Sequence, residues 1–150
     1  MLTILISILT AQADELIISK TWEASPTIQI CPESNVTKKE IETALDYWQD
    51  EVNFNYKKIV HVDSCEQRIN NTIQVTDSSE IKNPDQLALT TVSSYYYPKV
   101  DPQAKEKFIE YSRVRIPVDI KSQRQHVITH EIGHAIGLEH SNHEIMKPHL

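Results

Sequence analysis

Glycine is almost absent from this chain, and its scarcity limits the folds and sites that the sequence can form. Only two glycines, Gly133 and Gly137, occur among the 150 residues, where average usage would give roughly ten. Phosphate-binding loops and dinucleotide fingerprints need several closely spaced glycines, so the sequence excludes both. The two glycines lie four residues apart. We therefore expect a backbone requirement for glycine in this one segment.

The rest of the composition is that of one soluble globular domain. The chain has 39% hydrophobic and 24% charged residues, and its length is sufficient to bury one hydrophobic core. A net charge of −6 argues against nucleic acid or an anionic membrane surface as a general partner. We expect a monomer that binds no nucleic acid and does not insert stably into membranes.

The beginning of the chain predicts export. An apolar run from Leu2 to Leu9 precedes Ala11-Gln12-Ala13, the small-x-small pattern that signal peptidase accepts. The run is shorter than the roughly 20 apolar residues that a membrane span needs. A buried first strand is the alternative. We predict a signal peptide at residues 1–13, one domain at residues 14–150, and a secreted, periplasmic or extracellular location.

Hydrophobic periodicity in the first half predicts a strand, a helix and two further strands. The segment Thr27 to Cys31 alternates like a strand, and Thr37 and Glu40 then form a capping box that starts a helix. The apolar positions of that helix share one face: Ile41, Ala44, Leu45, Trp48 and Val52. Lys58 to Val62 and Thr72 to Thr76 predict the next strands. Strand, helix and strand in this order favour a right-handed crossover between neighbouring parallel strands.

The strand–helix–strand order predicts that the two cysteines lie close together. Cys31 ends the first predicted strand, and Cys65 follows the end of the second. Because the carboxyl ends of neighbouring parallel strands lie side by side, we predict a Cys31–Cys65 disulfide, which also fits an exported protein. Two buried free cysteines are the alternative.

The second half predicts two more extended segments and a second helix. Leu87 to Tyr97 is expected to be extended, until Pro98 and Pro102 interrupt it. Phe108 to Val118 predicts another strand. Ser122-Gln123-Arg124-Gln125 fits a second capping box, which would start a helix.

Histidines concentrate on this second helix and beyond it. Six of the seven histidines lie in the last 25 residues, which indicates a metal site. His130 and His134 are one turn apart on one helix face and can reach the same ion. Gly137 allows the left-handed conformation that ends a helix, so that His140 can become the third ligand. A fourth position then stays open, as is typical of catalytic zinc.

Five residues near the three histidines have a functional interpretation, a structural one, or both. Glu131 lies about 100° around the helix from His130, which suits a general base beside the metal. Gly133 is interpreted as permitting close packing against a strand, or as a tolerated helical glycine. His126 is interpreted as solvated, or as a neighbour of the metal ligands. His143 and His149 are interpreted as solvated loop and tail residues.

The histidine segment resembles a known zinc signature. Residues 130–140 read HEIGHAIGLEH, which resembles the long signature of the metzincins and, with Ser141, is most similar to the matrixin branch. Ile145-Met146 lies where metzincins carry the Met-turn, a methionine beneath the metal. The resemblance implies an α+β, metzincin-like (zincin) fold, in which a twisted, mixed but mostly parallel sheet packs on two helices. Because the sequence ends four residues after Met146, we expect the C-terminal helix of that fold to be lacking, and the two explanations are a minimal version of the fold or a truncated sequence.

The resemblance also implies an activity. It implies one catalytic Zn²⁺ bound by His130, His134 and His140, with Glu131 as the general base and no other cofactor. The implied enzyme is a secreted zinc metalloendopeptidase, a hydrolase that cleaves protein or peptide substrates with a zinc-activated water. A structural Ca²⁺ ion is an open alternative that no feature of the sequence supports.

The sequence also suggests where a substrate would bind and which other functions are open. An extended substrate would pair with an edge strand within Leu87 to Tyr97, where Tyr95-Tyr96-Tyr97 would line subsites or pack on the core. One alternative is a non-catalytic adhesion or scaffold module that retains the zinc site, although the presence of Glu131 argues against it. The other alternative is a virion-associated or surface-associated peptidase domain.

Overall fold

The computed structural model describes residues 14–77, 88–96 and 107–148, except for the side chains of Tyr95, Tyr96 and Lys107. The predicted signal peptide at residues 1–13 and the third tyrosine of the cluster, Tyr97, lie outside the described residues. Along the described residues, the elements follow in this order: β1 (Ile17–Ile18), β2 (Thr21–Trp22), β3 (Thr27–Ile30), α1 (Lys38–Val52), β4 (Lys58–His61), β5 (Thr72–Asp77), β6 (Leu89–Tyr96), β7 (Lys107–Ile116), α2 (Arg124–Ala135), β8 (Leu138–Glu139) and a 3₁₀ turn (Glu144–Met146).

Six of these strands form one mostly parallel sheet. The strands β2, β7, β5, β3 and β4 are neighbours in that order and run parallel, whereas β6 pairs antiparallel with β7. The strands β1 and β8 form a separate antiparallel pair. The two helices pack against each other and α2 against the sheet. The predicted α+β fold, with a mixed and mostly parallel sheet and two helices, is confirmed.

The strand–helix–strand prediction is confirmed at residue level. Helix α1 joins β3 to its parallel neighbour β4, with Thr27 beside Lys58 and Ile30 beside His61. The carboxyl ends of these strands therefore meet at one edge, and Cys31 and Cys65 form a disulfide there, as predicted. The capping box also forms, since the Thr37 hydroxyl accepts from the amide of the third helical residue and that residue's carboxylate accepts from the Thr37 amide.

Alternation along the central strands separates a core face from a polar face. The core face carries side chains that are almost fully buried beneath the helices: Ile28, Ile30, Ile73, Val75, Val114 and Ile116. On the opposite face, Gln74 is also fully buried, and its amide is bonded to the side chains of Gln29, Tyr111 and Arg113. A buried amide needs such partners, so this face is closed by a hydrogen-bonded network.

The predicted second capping box is wrong. Helix α2 has Gln123 as its N-cap, in the left-handed conformation with φ 56°, and no side chain caps its first turn. The next two side chains instead reach α1, since Arg124 Nε donates to Glu40 Oε1 at 2.7 Å and Gln125 Nε2 donates to the Glu40 carbonyl at 3.0 Å. The beginning of α2 is therefore determined by contacts with α1, which outweigh the local pattern.

Candidate metal centre

Two histidines on α2 are held by hydrogen bonds to backbone carbonyls. His130 Nδ1 donates to the carbonyl of Ile145 at 2.6 Å, and His134 Nδ1 donates to the carbonyl of Leu138 at 2.8 Å. A carbonyl oxygen only accepts, so each Nδ1 carries the ring hydrogen and each Nε2 carries a lone pair. Carbonyl partners of this kind orient metal-ligating histidines and fix their tautomers.

The turn after α2 brings the third histidine to the same place. Gly137 has φ 106°, and the predicted left-handed glycine is thereby confirmed. A Cβ on Gly137 would lie 2.0 Å from the carbonyl oxygen of Lys20, so glycine is also required for close packing. From there the chain passes through β8 to His140, which is exposed.

Residues 17–22, which we call the N-terminal strap, hold this turn from outside. The amide of Ser19 donates to the carbonyl of Gly137 at 3.0 Å, and the indole of Trp22 donates to the carbonyl of Ala135 at 3.0 Å. The strap also supplies β1, which pairs with β8 directly before His140. The position of the third histidine therefore depends on residues from the opposite end of the chain.

The three histidine side chains converge closely enough to hold one metal ion. His134 Nε2 lies 3.1 Å from His130 Nε2 and 3.2 Å from His140 Nε2, and one ligand atom of each residue lies within 4.8 Å of the others. Tetrahedral coordination at the usual Zn–N distance separates such nitrogens by about 3.4 Å. Lone pairs that face each other this closely need a cation between them, so the cluster fits a metal ion.

Burial keeps the two helical imidazoles neutral. Loss of hydration lowers the pKa of His130 to about 4, to which His134 and His140 add a smaller repulsive effect. Burial also lowers the pKa of His134. Neutral imidazole is the form that binds metal, so both rings are in the ligating state at neutral pH.

Glu131 follows His130 on α2, and its side chain is buried. Glu131 is only 7% exposed, and this burial raises the pKa of its carboxyl group to about 7. The hydroxyl of Thr90, on β6, lies 2.5 Å from Glu131 Oε2 and 3.1 Å from the Glu131 carbonyl oxygen. Thr90 was missed in the sequence analysis, because nothing local in the sequence connects β6 to α2.

The Met-turn region packs directly beneath α2. Met146 is fully buried, and a Cβ on Gly133 would lie 2.6 Å from its Sδ atom and 2.9 Å from Cζ2 of Trp48. The close approach expected at Gly133 is therefore present. The expected neighbour is wrong, because a thioether and an indole occupy the position where we predicted a strand.

Two histidines outside the cluster differ from the expectation of solvated side chains. His143 is only 7% exposed, so its interpretation as a solvated loop residue is wrong. His126 is partly buried, and among the described residues its Nε2 is a shielded atom without a hydrogen-bond partner. His149 lies outside the described residues.

The comparisons with known proteins agree with this geometry. The family model of the matrixins, which form a peptidase family, matches residues 18–150. The chain belongs to the matrixin family. Matrixins are zinc metallopeptidases that act on proteins and are typically extracellular, and the metzincin resemblance predicted above is confirmed. A search of curated protein sequences finds no match. In the described part of this matrixin chain, no helix has the length and apolarity needed to cross a membrane.

The raised pKa of Glu131 predicts how the stability of the metal-free matrixin depends on pH. In the folded protein this pKa is about 7 and in the unfolded chain it is near 4.5. The stabilisation from the retained proton is therefore complete below pH 4.5 and is lost as the pH rises through 7. Glu131→Gln is expected to be more stable than the wild type by about 2–3 kcal/mol at pH 8 and equally stable at pH 4.

Urea unfolding of both metal-free proteins across this pH range measures the difference. Glu66→Gln is the control, because it removes a carboxylate that is exposed to solvent rather than buried. A stability difference between wild type and Glu131→Gln that is the same at pH 4 and pH 8 would contradict the prediction.

Proposed function

We propose that this matrixin-family chain is a secreted zinc metalloendopeptidase in which His130, His134 and His140 bind the metal and Glu131 is the general base. The observation that carries the proposal is the convergence of three histidine nitrogens at a helix that also carries the buried carboxyl group of Glu131. When bound, zinc supplies a Lewis acid that polarises the scissile carbonyl and makes a coordinated water more acidic.

The protein's own residues prepare this chemistry before substrate arrives. The carbonyls of Ile145 and Leu138 hold the two helical imidazoles with Nε2 free, so no rearrangement is needed when the metal binds. The strap contact at Gly137 fixes the turn that leads to His140. Because their partners are backbone carbonyls, the two helical ligands are oriented before the metal binds.

Glu131 is suited to move one proton twice. Its carboxylate accepts a proton from the attacking water, whose oxygen adds to the carbonyl carbon, and later delivers that proton to the leaving amine nitrogen as the C–N bond breaks. In the metal-free protein burial raises the pKa of this carboxyl group to about 7, and a bound cation would lower that pKa and so favour the carboxylate that accepts the proton. The Thr90 hydroxyl at 2.5 Å limits the rotation of the carboxyl group.

Strand β6 is the proposed docking edge for an extended substrate. Within the described residues β6 pairs with β7 alone, which supports its other edge as the place where a substrate strand would add. Thr90 lies on this strand and contacts Glu131, which brings the edge next to the reacting groups. The role of Tyr95-Tyr96-Tyr97 in subsites stays a prediction.

Export is the other part of the proposal. Residues 1–13 would be removed as a signal peptide, and the single catalytic domain of residues 14–150 would act as a monomer. The apolar run before Ala11-Gln12-Ala13 supports export. The Cys31–Cys65 disulfide also supports it, because such bonds persist in oxidising compartments.

Hydrolysis of unfolded casein by the purified protein tests the activity. We expect cleavage to stop when a chelator removes the metal and to return with one equivalent of Zn²⁺, because the three nitrogens provide one site. Addition of Ca²⁺ instead of Zn²⁺ is the control and should restore nothing. A protein that holds one zinc per chain and cleaves no casein would contradict the enzyme and favour a binding module.

A further inference from the structure

We propose that Tyr47 and His143 are positioning residues that fix the orientation of His130 through the backbone of Ile145. The inference rests on the proposed metal site, which it deepens by adding two residues outside the three histidines. A continuous path of hydrogen bonds connects helix α1 to His130. It runs from the Tyr47 hydroxyl to the His143 ring, from that ring to the Ile145 amide, and from the Ile145 carbonyl to His130.

The direction of each hydrogen bond in this path follows from its donors and acceptors. The Ile145 amide donates to His143 Nδ1 at 3.3 Å, so Nδ1 carries the lone pair and Nε2 carries the hydrogen. His143 Nε2 then donates to the Tyr47 hydroxyl oxygen at 3.2 Å. At the other end, the Ile145 carbonyl accepts from His130 Nδ1 at 2.6 Å. Both polar groups of Ile145 are thus used, one towards α1 and one towards the cluster.

The anchor on α1 is rigid. The ring of His143 lies 6.0 Å from the ring of Trp48 and 6.2 Å from that of Tyr47, measured between centroids. Tyr47 and Trp48 meet edge to face at 4.9 Å, and the Trp48 indole donates to the carbonyl of Thr129 on α2 at 2.7 Å. His143 therefore packs against a part of α1 that is itself bonded to the histidine-bearing helix.

His143 also organises the turn that contains Ile145. It is the N-cap of the 3₁₀ turn, and its carbonyl accepts from the Met146 amide at 2.9 Å. The Met146 carbonyl accepts in turn from the Ser141 amide at 3.0 Å. If the His143 ring lost its partner, the turn could move as a unit, and the Ile145 carbonyl would move away from His130 with it.

Burial and neighbouring negative charges keep the Tyr47 hydroxyl protonated. Burial raises the pKa of Tyr47 to about 12, and the negative charges of Glu51, Glu144 and Asp14 act in the same direction. Tyr47 is therefore a neutral phenol at physiological pH. Glu51 Oε2 lies 3.9 Å from His143 Nε2, on the side to which the ring hydrogen points.

The consequence is an effect on metal affinity. A hydrogen-bond acceptor that is held firmly against Nδ1 orients the imidazole and increases the basicity of Nε2, and loss of such partners typically weakens metal binding by about 10–100-fold. Along the path, His143 lies one hydrogen bond and Tyr47 two hydrogen bonds beyond the Ile145 group that contacts the His130 ring. We expect an increase in the zinc dissociation constant of about 3–10-fold when only the Tyr47–His143 link is cut.

Three variants remove increasing parts of the hydrogen-bond path. Competition for Zn²⁺ with a chromophoric chelator measures the zinc dissociation constant of each. Tyr47→Phe removes only the hydroxyl, and His143→Asn retains an acceptor for the Ile145 amide, so each should raise the constant about 3–10-fold. His143→Leu removes both contacts and should raise it about 10-fold or more. The double variant Tyr47→Phe/His143→Asn should bind zinc no more weakly than the weaker single variant, because both substitutions interrupt the same path.

Tyr56→Phe is the matched control, since Tyr56 is also partly buried against the core but lies outside the path. Its zinc dissociation constant should stay within about twofold of the wild type, as expected for a change remote from the site. The absorption spectrum of the Co²⁺ form gives a second readout, in which the three graded variants should alter the ligand-field bands and Tyr56→Phe should not. If His143→Leu does not fold, Tyr47→Phe carries the test because its ring packing is unchanged.

Each outcome distinguishes the inference from the proposed function. Dissociation constants within twofold of the wild type in the three variants would overturn the inference, even where the metal-free protein melts at a lower temperature, because that pattern indicates packing alone. The predicted ranking of zinc affinities in a protein that cleaves no casein would support the inference and contradict only the proposed enzyme. A wild type that binds no zinc would overturn both.

Discussion

Glu131→Gln is expected to lower kcat/KM for peptide hydrolysis by about 10²–10⁴-fold while the protein still binds one zinc ion. Glutamine has nearly the same shape as glutamate, but its amide neither accepts a proton from water nor returns one to the leaving amine. The three nitrogens that converge come from His130, His134 and His140, so removal of the carboxylate leaves the ligand set unchanged. Initial rates on a peptide substrate, together with zinc content per chain, measure both quantities.

Two further variants show whether the effect arises from proton transfer. Thr90→Val removes the hydroxyl that lies 2.5 Å from Glu131 Oε2, leaves the carboxylate in place, and should cost about tenfold in kcat/KM, an effect that corresponds to one hydrogen bond. Thr90→Ser restores that hydroxyl and should recover most of the rate. Zinc-loaded Glu131→Gln with activity within a few-fold of the wild type would refute the assignment of the general base. Unfolding cannot explain a loss, because the same substitution is expected to stabilise the metal-free protein at pH 8.

Gly137→Ala is expected to lower the free energy of unfolding by about 2–6 kcal/mol, the sum of two separate costs. Residue 137 has φ 106°, which strains any side-chain-bearing residue. The new Cβ would also lie 2.0 Å from the Lys20 carbonyl oxygen, a backbone atom that moves only if the N-terminal strap moves. Because His140 follows three residues later, weaker zinc binding should accompany the loss of stability.

Two comparison variants separate strain from overlap at this turn. Asparagine tolerates positive φ better than alanine does, but it has the same Cβ, so Gly137→Asn should recover little of the stability. Gly133→Ala should cost about 1–3 kcal/mol, since its Cβ would overlap the side chains of Met146 and Trp48 rather than a backbone atom. Urea unfolding of the metal-free proteins measures all three changes. A Gly137→Ala protein within 1 kcal/mol of the wild type, a margin typical of neutral surface changes, would contradict the prediction.

The parts of the fold that sequence analysis predicted are those determined by local patterns. The apolar face and capping box of α1 predicted the helix, and strand–helix–strand order with one cysteine after each strand predicted the Cys31–Cys65 disulfide. The spacing of His130 and His134 predicted their common face, and Gly137 predicted the turn that brings in His140. Each of these depends on residues within a few positions of one another, or on one rule of chain topology.

The parts that were missed depend on contacts between distant segments. The pattern at Ser122 suggested a capping box, but the first turn of α2 is held by contacts with Glu40. Strands β1 and β2 have two residues each, which is too short for a visible alternation. The Thr90 contact with Glu131 and the Tyr47 contact with His143 span 41 and 96 positions, and no periodicity in a single sequence records such pairings.

Contact between the N-terminal strap and the histidine turn has a consequence for the order of folding. The partners Ser19 and Gly137 are 118 positions apart. Ribosomes add about 5–20 residues per second, so the strap is synthesised about 6–24 s before its partner exists. Until then Ile17 and Ile18, which remain about half exposed even in the finished domain, have no strand to pair with. The strap therefore completes its contacts only after residues 137–139 have been synthesised, and the turn that leads to the third histidine is held from outside only from then on.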